Sequence, residues 1–299
     1  MVTGQPAADI HIDERLVRQL LQEQHAELAH LPLERVDAGW DNELYRLGSA
    51  LAVRLPRRAV AASLIEREQR WLPVLAPRLP LQTSIPVLAG RPSSSFPWPW
   101  SISAWIAGTP ADVVEPGAND AVSFAGFLRA LHQPAPPDAP HNPLRGVPLR
   151  ERAPRFDERL QRLAGVPAFT RVEAGLRRVW TDALDASPAT ERRWIHGDLH
   201  PLNVIVSDGD DDRRVVGVID WGDLTAGDVA TDLASVWMLF AGAEVRARVR
   251  AAYGDVDADT WVRARGWAVL FGVLLLDAGL VNSPRHAVVG KRILRRVLE

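Results

Sequence analysis

A short polar stretch between two apolar runs constrains this chain more than any other feature of its 299 residues. It reads His-Gly-Asp-Leu-His-Pro-Leu-Asn over residues 196–203. An apolar run further on ends in an acid at Asp220, seventeen residues after Asn203. A carboxylate can align an attacking hydroxyl and accept its proton, and an amide oxygen with a second carboxylate suits Mg²⁺. The residue types and their spacing are typical of a catalytic loop followed by a metal-binding acid.

His-x-Asp-x-x-x-x-Asn, then a strand, then Asp, is the spacing of the protein-kinase catalytic loop. The fuller string HGDLHPLN, followed by VIDW at 218–221, resembles the signature of the aminoglycoside phosphotransferase/choline kinase family. This resemblance implies that Asp198 is the catalytic base and that Asn203 and Asp220 are the Mg²⁺ ligands. It also implies that His196 shapes the loop.

The resemblance extends to a second acidic stretch, Gly-Asp-Val-Ala-Thr-Asp at 227–232. Family members often carry a second Asp-rich helix start after the metal-binding acid, and Asp232 would then brace the catalytic loop from below. Asp228 stands where a helix N-cap belongs, and capping is the better interpretation of that residue.

The fold expected from the resemblance is α+β and protein-kinase-like, with two lobes. Residues 1–106 would form a small β-rich, nucleotide-binding N-terminal lobe. Residues 107–299 would form a larger, mainly helical C-terminal lobe with the catalytic loop and the substrate site. The patterning agrees, because β-type runs between Leu33 and Leu55, with a hairpin turn at Gly48-Ser49, give way to helical periodicity. Helices are expected at 12–28, 61–76, 119–132, 149–164, 169–186, 229–241 and 244–299, and strands at 100–106, 203–207 and 214–220.

A cation and a carboxylate are expected to pair in the first lobe. Leu-Ala-Val-Arg at 51–54 aligns with the Val-Ala-Ile-Lys strand of kinases, in which a small residue, here Ala52, roofs the adenine. The cation is Arg54, and the sole lysine of the chain is Lys291, far outside this lobe. Glu68 lies on an apolar helical stripe, where a carboxylate is costly unless paired. It is therefore predicted to meet Arg54, the alternative being a stripe-edge residue that reaches water.

The remaining nucleotide contacts are expected from a turn and from the hinge. No Gly-x-Gly-x-x-Gly loop is present, and Gly-Trp-Asp-Asn at 39–42 stands in its place. Asn42 could donate to a phosphate, although a plain turn explains the stretch equally well. Adenine would meet backbone groups of Ala104, Trp105 and Ile106.

The cofactors expected are Mg²⁺ and ATP or GTP, and the partner is a small molecule with a hydroxyl acceptor. An aminoglycoside-like antibiotic is the leading acceptor; macrolide-, choline-, homoserine- and sugar-like acceptors stay open. Because aminoglycosides are polycations, carboxylates are sought near Asp198, and Asp223 and Asp277 are candidates. For Asp277, which interrupts the apolar run 270–280, a helix-exit or surface position is the stronger alternative.

Composition and the distribution of apolar residues limit the partners and the cellular location that we expect. A net charge of −2 and a pI near 6.5 argue against a nucleic-acid partner, and zero cysteines exclude disulfides and thiolate chemistry. The first thirty residues lack an apolar core of the signal-peptide type. The most apolar stretch, 267–276, is too short to span a bilayer and is expected to be a core helix. We therefore expect a cytoplasmic protein without a membrane partner.

Two other functions are open from the sequence. Gly-Asp-Leu-His at 197–200 is similar to a metallophosphatase motif, but the upstream Asp-x-His and downstream Gly-Asn-His of those enzymes are missing. A non-catalytic kinase-like binding module would explain the missing lysine and glycine loop, yet such modules usually lose the catalytic acid or a metal ligand. Nucleotide turnover with a hydroxyl acceptor discriminates between them.

Overall fold

The computed structural model describes residues 7–209 and 213–299, and it has the expected β-rich first lobe and helical second lobe. The strands and helices of the first lobe are α1 (Glu14–Gln24), β1 (Leu33–Ala38), β2 (Asn42–Leu47), β3 (Leu51–Pro56), α2 (Ala59–Leu75), β4 (Gln82–Thr83), β5 (Pro86–Gly90) and β6 (Trp100–Ala104). Five of these strands form an antiparallel sheet in the order β1-β2-β3-β6-β5. The predicted α+β class is confirmed.

The hairpin of β2 and β3 turns where the sequence predicts it. Leu47 pairs with Leu51, and Gly48 between them has φ +61°, a left-handed conformation that suits glycine. The apolar face of this sheet packs on α1, whose N-terminus is capped by Asp13. Helix α2 crosses the other side of β3 and β6 and carries Glu68 inward.

The second lobe is mainly helical around one large apolar core. Its helices are α3 (Ala121–Leu131), α4 (Leu149–Leu163), α5 (Pro167–Thr170), α6 (Glu173–Asp185), α7 (Ala230–Leu233), α8 (Ser235–Leu239), α9 (Ala243–Tyr253), α10 (Ala258–Asn282) and α11 (Pro284–Val297). Among the described residues α10 alone is long and apolar enough to cross a membrane, with mean hydropathy 1.6 in its most apolar window, but 78% of that window is buried inside the protein. Helix α11 packs so closely that a Cβ on Gly290 would lie 2.5 Å from the Leu276 nitrogen.

Short strands in the second lobe bring the polar loops together. They are β7 (Thr109–Pro110), β8 (Arg193–Ile195), β9 (Val204–Val206), β10 (Val215–Val218) and β11 (Thr225–Gly227). Strand β9 begins just after Asn203 and pairs antiparallel with β10, so that Val204 lies opposite Val218. Because antiparallel strands run in opposite directions, the start of β9 lies beside the end of β10. Asn203 and the residues after Val218 therefore meet at one edge of the sheet.

The structure also corrects several expected elements. The strand expected over 100–106 ends at Ala104, and the single helix expected over 169–186 is two helices, α5 and α6. The helical stretch 244–299 is broken into three helices, with breaks around Gly254 (φ +98°) and before Pro284. Strand β5 was not predicted, and neither were β4, β7, β8 and β11, whose two or three residues are too few to show a periodicity.

Candidate active site

The segment 196–203 forms a tight loop that holds two of the predicted residues side by side. The Asn203 side-chain nitrogen donates to the Asp198 carbonyl oxygen at 2.9 Å and approaches its carboxylate Oδ2 at 3.3 Å. These bonds use the amide nitrogen of Asn203 and orient its side chain. The Asp198 side chain is 19% exposed, so its carboxylate reaches the cleft.

Asp220 is brought to this loop by backbone bonds. The Ile219 N–H donates to the Asn203 carbonyl oxygen at 2.9 Å, and the Ile219 carbonyl oxygen lies 3.0 Å from His196 Nε2. The fully buried His196 thus joins the catalytic loop to the segment after β10, and its Nδ1 accepts from the Asp198 N–H at 3.2 Å. These bonds tie the two segments together, and the loop-shaping role that the resemblance implies for His196 stays a prediction.

The backbone of Asp220 is unusual. With φ 60° and ψ 68° it is the one non-glycine among the described residues at positive φ. This left-handed conformation costs an ordinary L-residue roughly 1–2 kcal/mol, and Asp and Asn tolerate it better than most. Strained conformations of this kind cluster at functional sites. Here the strain presents a carboxylate, 49% exposed, toward the cleft.

Asp232 supports the catalytic loop from within the second lobe. Its buried carboxylate accepts from the N–H of His196 at 2.7 Å and from the N–H of Gly197 at 2.8 Å. His132 Nε2 lies 3.2 Å from the same carboxylate, and His132 Nδ1 lies 2.8 Å from the Tyr253 hydroxyl. Asp228, in contrast, accepts from the Ala230 N–H and pairs with Arg263, but it lies one residue before Val229, the N-cap of α7, so the expected N-cap is displaced by one residue.

We expect Asp232→Ala to lower the free energy of unfolding by about 2–5 kcal/mol, because two buried N–H groups lose their acceptor. Asp232→Asn should cost less, since its amide oxygen still serves one of them. Asp138→Ala, on an exposed carboxylate, is the control and should stay within about 0.5 kcal/mol of the parent. Urea denaturation measures all three, and equal stability of Asp232→Ala and the control would contradict the bracing role.

Arg54 and Glu68 meet as predicted, and Arg54 also reaches the metal-ligand candidate. Arg54 Nη1 lies 2.6 Å from the Glu68 carboxylate, and Nη2 lies 2.7 Å from Asp220 Oδ1. Glu68 additionally accepts from the Trp221 N–H at 2.7 Å. The planar guanidinium therefore bridges two carboxylates from different lobes, a geometry that a single ammonium does not match.

We expect Arg54→Ala to lower kcat/KM for the nucleotide roughly ten- to over a hundred-fold, the range of a charge-assisted hydrogen bond. This change leaves the buried Glu68 without a cation, which destabilises the fold. Arg54→Lys keeps a cation there, so we expect it to destabilise the protein less than Arg54→Ala does. Arg70→Ala, an exposed arginine on the same helix as Glu68, is the control and should not change kcat/KM. Steady-state kinetics that fail to separate Arg54→Ala from Arg70→Ala would overturn the assignment.

The turn at 39–42 lies over the site. Asp41 pairs with Arg58 at 2.5 Å. Burial raises the pKa of Asp41, Arg58 opposes this rise, and the charges of Asp220 and Asp198 add to it, which places the turn within their electrostatic range. Asn42 is buried and its Oδ1 has no hydrogen-bond partner within the described residues. Its predicted contact with phosphate stays a prediction.

The hinge leaves one backbone donor open. The Ala104 N–H donates to Ile85 and the Trp105 N–H to Ala50. Within the described part of the chain, the Ile106 N–H donates to no backbone acceptor. Ala52, buried on β3, pairs with Ser103 of β6, next to the hinge. Of the three hinge residues, Ile106 is therefore the one whose N–H has no acceptor among the described residues, and its predicted contact with adenine stays a prediction.

The donors present suit a magnesium ion held jointly with phosphate. The described residues contain no cluster of three or more His, Cys, Asp or Glu side chains that could enclose a metal. Mg²⁺ commonly takes only one or two protein ligands beside waters and substrate phosphates. The exposed Asp220 carboxylate and the Asn203 amide oxygen, whose nitrogen is already bonded to Asp198, provide such a pair.

Sequence reasoning missed two residues that contact Asp198. Arg145 Nη2 lies 2.7 Å from Asp198 Oδ1, and His200 Nε2 lies 3.3 Å from Asp198 Oδ2. Burial alone would raise the pKa of Asp198, but Arg145 and then His200 lower it well below its usual range. For His200 the two effects have the opposite signs. Burial lowers its pKa, but the negative charge of Asp198 raises it above its usual value. His200 is part of the motif at 196–203 and could have been found from the sequence. Arg145 lies in a Pro-rich connector where no motif or periodicity marks it.

The two acceptor-site candidates are both held by arginine. Asp223 accepts from Asn142 at 2.7 Å and lies 3.5 Å from Arg145 Nε, and burial raises its pKa. Asp223 and Asp198 therefore share Arg145 as a partner. Asp277 is buried and pairs with Arg159 at 2.5 Å and Arg162 at 2.6 Å. It ties α10 to α4, and its predicted place at the substrate has no support in this geometry.

Two lobes joined by a hinge, with an Asp-Asn-Asp constellation at the cleft, define a phosphotransferase of the protein-kinase-like class. A comparison with family models gives the same result for most of the chain. Residues 32–267 match the APH phosphotransferase enzyme family, and the chain belongs to that family.

Solved structures resemble this one along nearly its whole length. The GDP complex of aminoglycoside 2′-phosphotransferase-IIIa superposes with a TM-score of 0.70 at 16% identity, covering 96% of this chain and 99% of that one. Macrolide 2′-phosphotransferase MphH from Brachybacterium faecium gives 0.58 at 20% identity, covering 94% and 98%. At these identities the likeness shows the kinase-like fold.

A curated relative matches over a shorter stretch. Viomycin phosphotransferase of Streptomyces vinaceus is 40% identical over 78 residues. This match covers 26% of the present chain and 27% of the relative. It supports the family assignment and leaves the acceptor open.

Proposed function

We propose that this phosphotransferase transfers the γ-phosphoryl group of ATP or GTP, with Mg²⁺, to a hydroxyl of a small antibiotic-like molecule. The observation that carries the proposal is the meeting of Asp198, Asn203 and Asp220 at one sheet edge, joined through Ile219. An aminoglycoside-like acceptor is the starting hypothesis, since relatives are named for aminoglycosides, a macrolide and viomycin. Choline-, homoserine- and sugar-like acceptors are the alternatives.

In the proposed reaction the Asp198 carboxylate aligns the acceptor hydroxyl and takes its proton as the oxygen bonds to phosphorus. The bond from the γ-phosphorus to the bridging oxygen breaks, and the nucleoside diphosphate leaves. Asn203 and Asp220 would hold Mg²⁺, which neutralises charge on the phosphates when bound. Arg54 steers the phosphates from the other lobe, and Ile106 offers its N–H to the base.

The alternatives have less support. A metallophosphatase needs several metal ligands around Asp198, but the described residues contain no cluster of three or more His, Cys, Asp or Glu side chains that could hold a metal, and the cation of Arg145 contacts this carboxylate. A binding module without catalysis would not need the Asp198 carboxylate aligned beside the two proposed Mg²⁺ ligands, Asn203 and Asp220. An enzyme that consumes nucleoside triphosphates also fits the expected cytoplasmic location.

The experiment is a panel of hydroxylated antibiotics and metabolites, incubated with ATP or GTP, with and without Mg²⁺. Mass spectrometry should find one acceptor gaining a single phosphoryl group, only with Mg²⁺ and not with Asp198→Asn. Nucleotide binding without any phosphorylated acceptor across the panel would favour the binding module. Release of phosphate from phosphorylated substrates would favour the phosphatase.

A further inference from the structure

One buried arginine of the second lobe has no partner among the described residues. Arg152, on α4, is 6% exposed, and it forms no ion pair or hydrogen bond with the described residues. Its Nε is buried without an acceptor. A buried guanidinium normally has a carboxylate or carbonyl partner, because leaving it unpaired is costly.

The surroundings of Arg152 are cationic. Burial, and after it the charges of Arg145, Arg155 and Arg159, lower its pKa to about 10. Neighbouring cations do not account for its burial, because each adds repulsion. Asp277, the buried carboxylate that ties α10 to α4, is already held by Arg159 and Arg162.

Arg145, whose charge acts on Arg152, also contacts the candidate catalytic carboxylate. Its guanidinium lies 5.0 Å from the Phe271 ring on α10 and 2.7 Å from Asp198. The next residue, Gly146, has φ +66°, and a Cβ there would lie 2.8 Å from the Gly227 Cα, so this connector is held tightly against the second lobe. Arg145 therefore contacts Asp198 directly and lies within electrostatic range of Arg152.

We propose that Arg152, with Arg145, forms a subsite for an anionic oxygen group of the acceptor, such as a carboxylate or a sulfate or phosphate ester. This inference rests on the proposed function and narrows it. An acceptor that carries such a group would place its hydroxyl near Asp198 while its anion pairs with Arg152. A polycationic acceptor without an anion would meet two arginines here.

The test uses sulfate as the probe on the full chain, in thermal unfolding with Mg²⁺ and a saturating non-hydrolysable ATP analogue. Sulfate is compared with chloride at equal ionic strength, which separates specific binding from charge screening. We expect sulfate to raise the Tm of the parent in a saturable way. Arg152→Met should lose that saturable rise, and in chloride its Tm should match or exceed the parent's, because an unpaired buried cation has been removed. Arg155→Met, an exposed arginine on the same helix, should behave as the parent.

Two outcomes would overturn the subsite. One is an equal saturable rise in the parent and in Arg152→Met. The other is a loss of folding in chloride for both Arg152→Met and Arg152→Gln, which would make Arg152 a structural residue. Failure of the proposed function is seen separately, as neither an ATP analogue nor a GTP analogue binding the parent with Mg²⁺.

A kinetic arm follows once the panel has given an acceptor. Free acid and methyl ester of the same compound are compared, or the sulfated and unsulfated compound. The parent should prefer the anionic form by about ten- to a hundred-fold in kcat/KM. Arg152→Met should lose this preference while its Mg²⁺-dependent affinity for the nucleotide is unchanged. A preference for the ester or the unsulfated form in the parent would contradict the proposal.

Discussion

Asp198→Asn should lower kcat by about 10²–10⁴-fold, the usual contribution of general-base catalysis, and leave Mg²⁺-nucleotide binding unchanged. The amide cannot take the proton of the acceptor hydroxyl, although it keeps the shape of the carboxylate. Asp198 contacts Arg145, His200 and Asn203 but lies outside the proposed metal pair. Single-turnover phosphorylation and calorimetric titration of Mg²⁺-nucleotide measure the two quantities separately.

The control for this variant is Asp138→Asn, which removes a carboxylate from the surface and should change neither quantity. If Asp198→Asn loses the metal dependence of nucleotide binding, Asp198 is a metal ligand and the phosphatase-like alternative gains. A change of less than about tenfold in kcat would make alignment of the hydroxyl, by Asn as well as by Asp, the larger part of its work.

Asp220→Ala should abolish the Mg²⁺ dependence of nucleotide binding. It should also reduce turnover at least as much as Asp198→Asn does. The variant removes the exposed carboxylate of the proposed metal pair and one partner of Arg54. Alanine also fits the left-handed backbone poorly, so Asp220→Asn, which tolerates φ near 60°, separates loss of the ligand from loss of fold.

Calorimetry with and without Mg²⁺, together with a melting curve, tests this second expectation. Both Asp220 variants should bind nucleotide equally weakly with and without the metal, and Asp220→Asn should keep the Tm of the parent. Strong Mg²⁺-dependent binding by Asp220→Asn would mean that an amide oxygen is a sufficient ligand there. Mg²⁺-dependent binding by Asp220→Ala would remove Asp220 from the proposed metal pair.

The parts of the site that the sequence predicts are those whose chemistry is local. Asp198 and Asn203 share one loop, and strand pairing of β9 with β10 brings Asp220 beside them. The pair of Arg54 and Glu68 follows from one rule, that a carboxylate on an apolar stripe needs a cation, and the structure places them 2.6 Å apart.

The parts that the sequence does not reveal depend on tertiary packing. Arg145 comes from an irregular connector, and Arg152 looks like one of several arginines on an amphipathic helix until its burial is known. The same holds for Tyr253, whose hydroxyl lies against His132 behind the catalytic loop. The short strands and the broken C-terminal helices lacked a pattern long enough to place them.

The arginine at position 54 changes how this enzyme can be detected and inhibited. Reagents that acylate the conserved kinase lysine need an unprotonated amine beside the phosphates. Burial would lower the pKa of Arg54, but Glu68 and Asp220 raise it, so the guanidinium keeps its proton and is no nucleophile. The sole lysine, Lys291, is exposed on α11 of the other lobe. Surveys of kinases by lysine-directed covalent probes would therefore pass over this enzyme, and inhibitors of it have to bind without forming that bond.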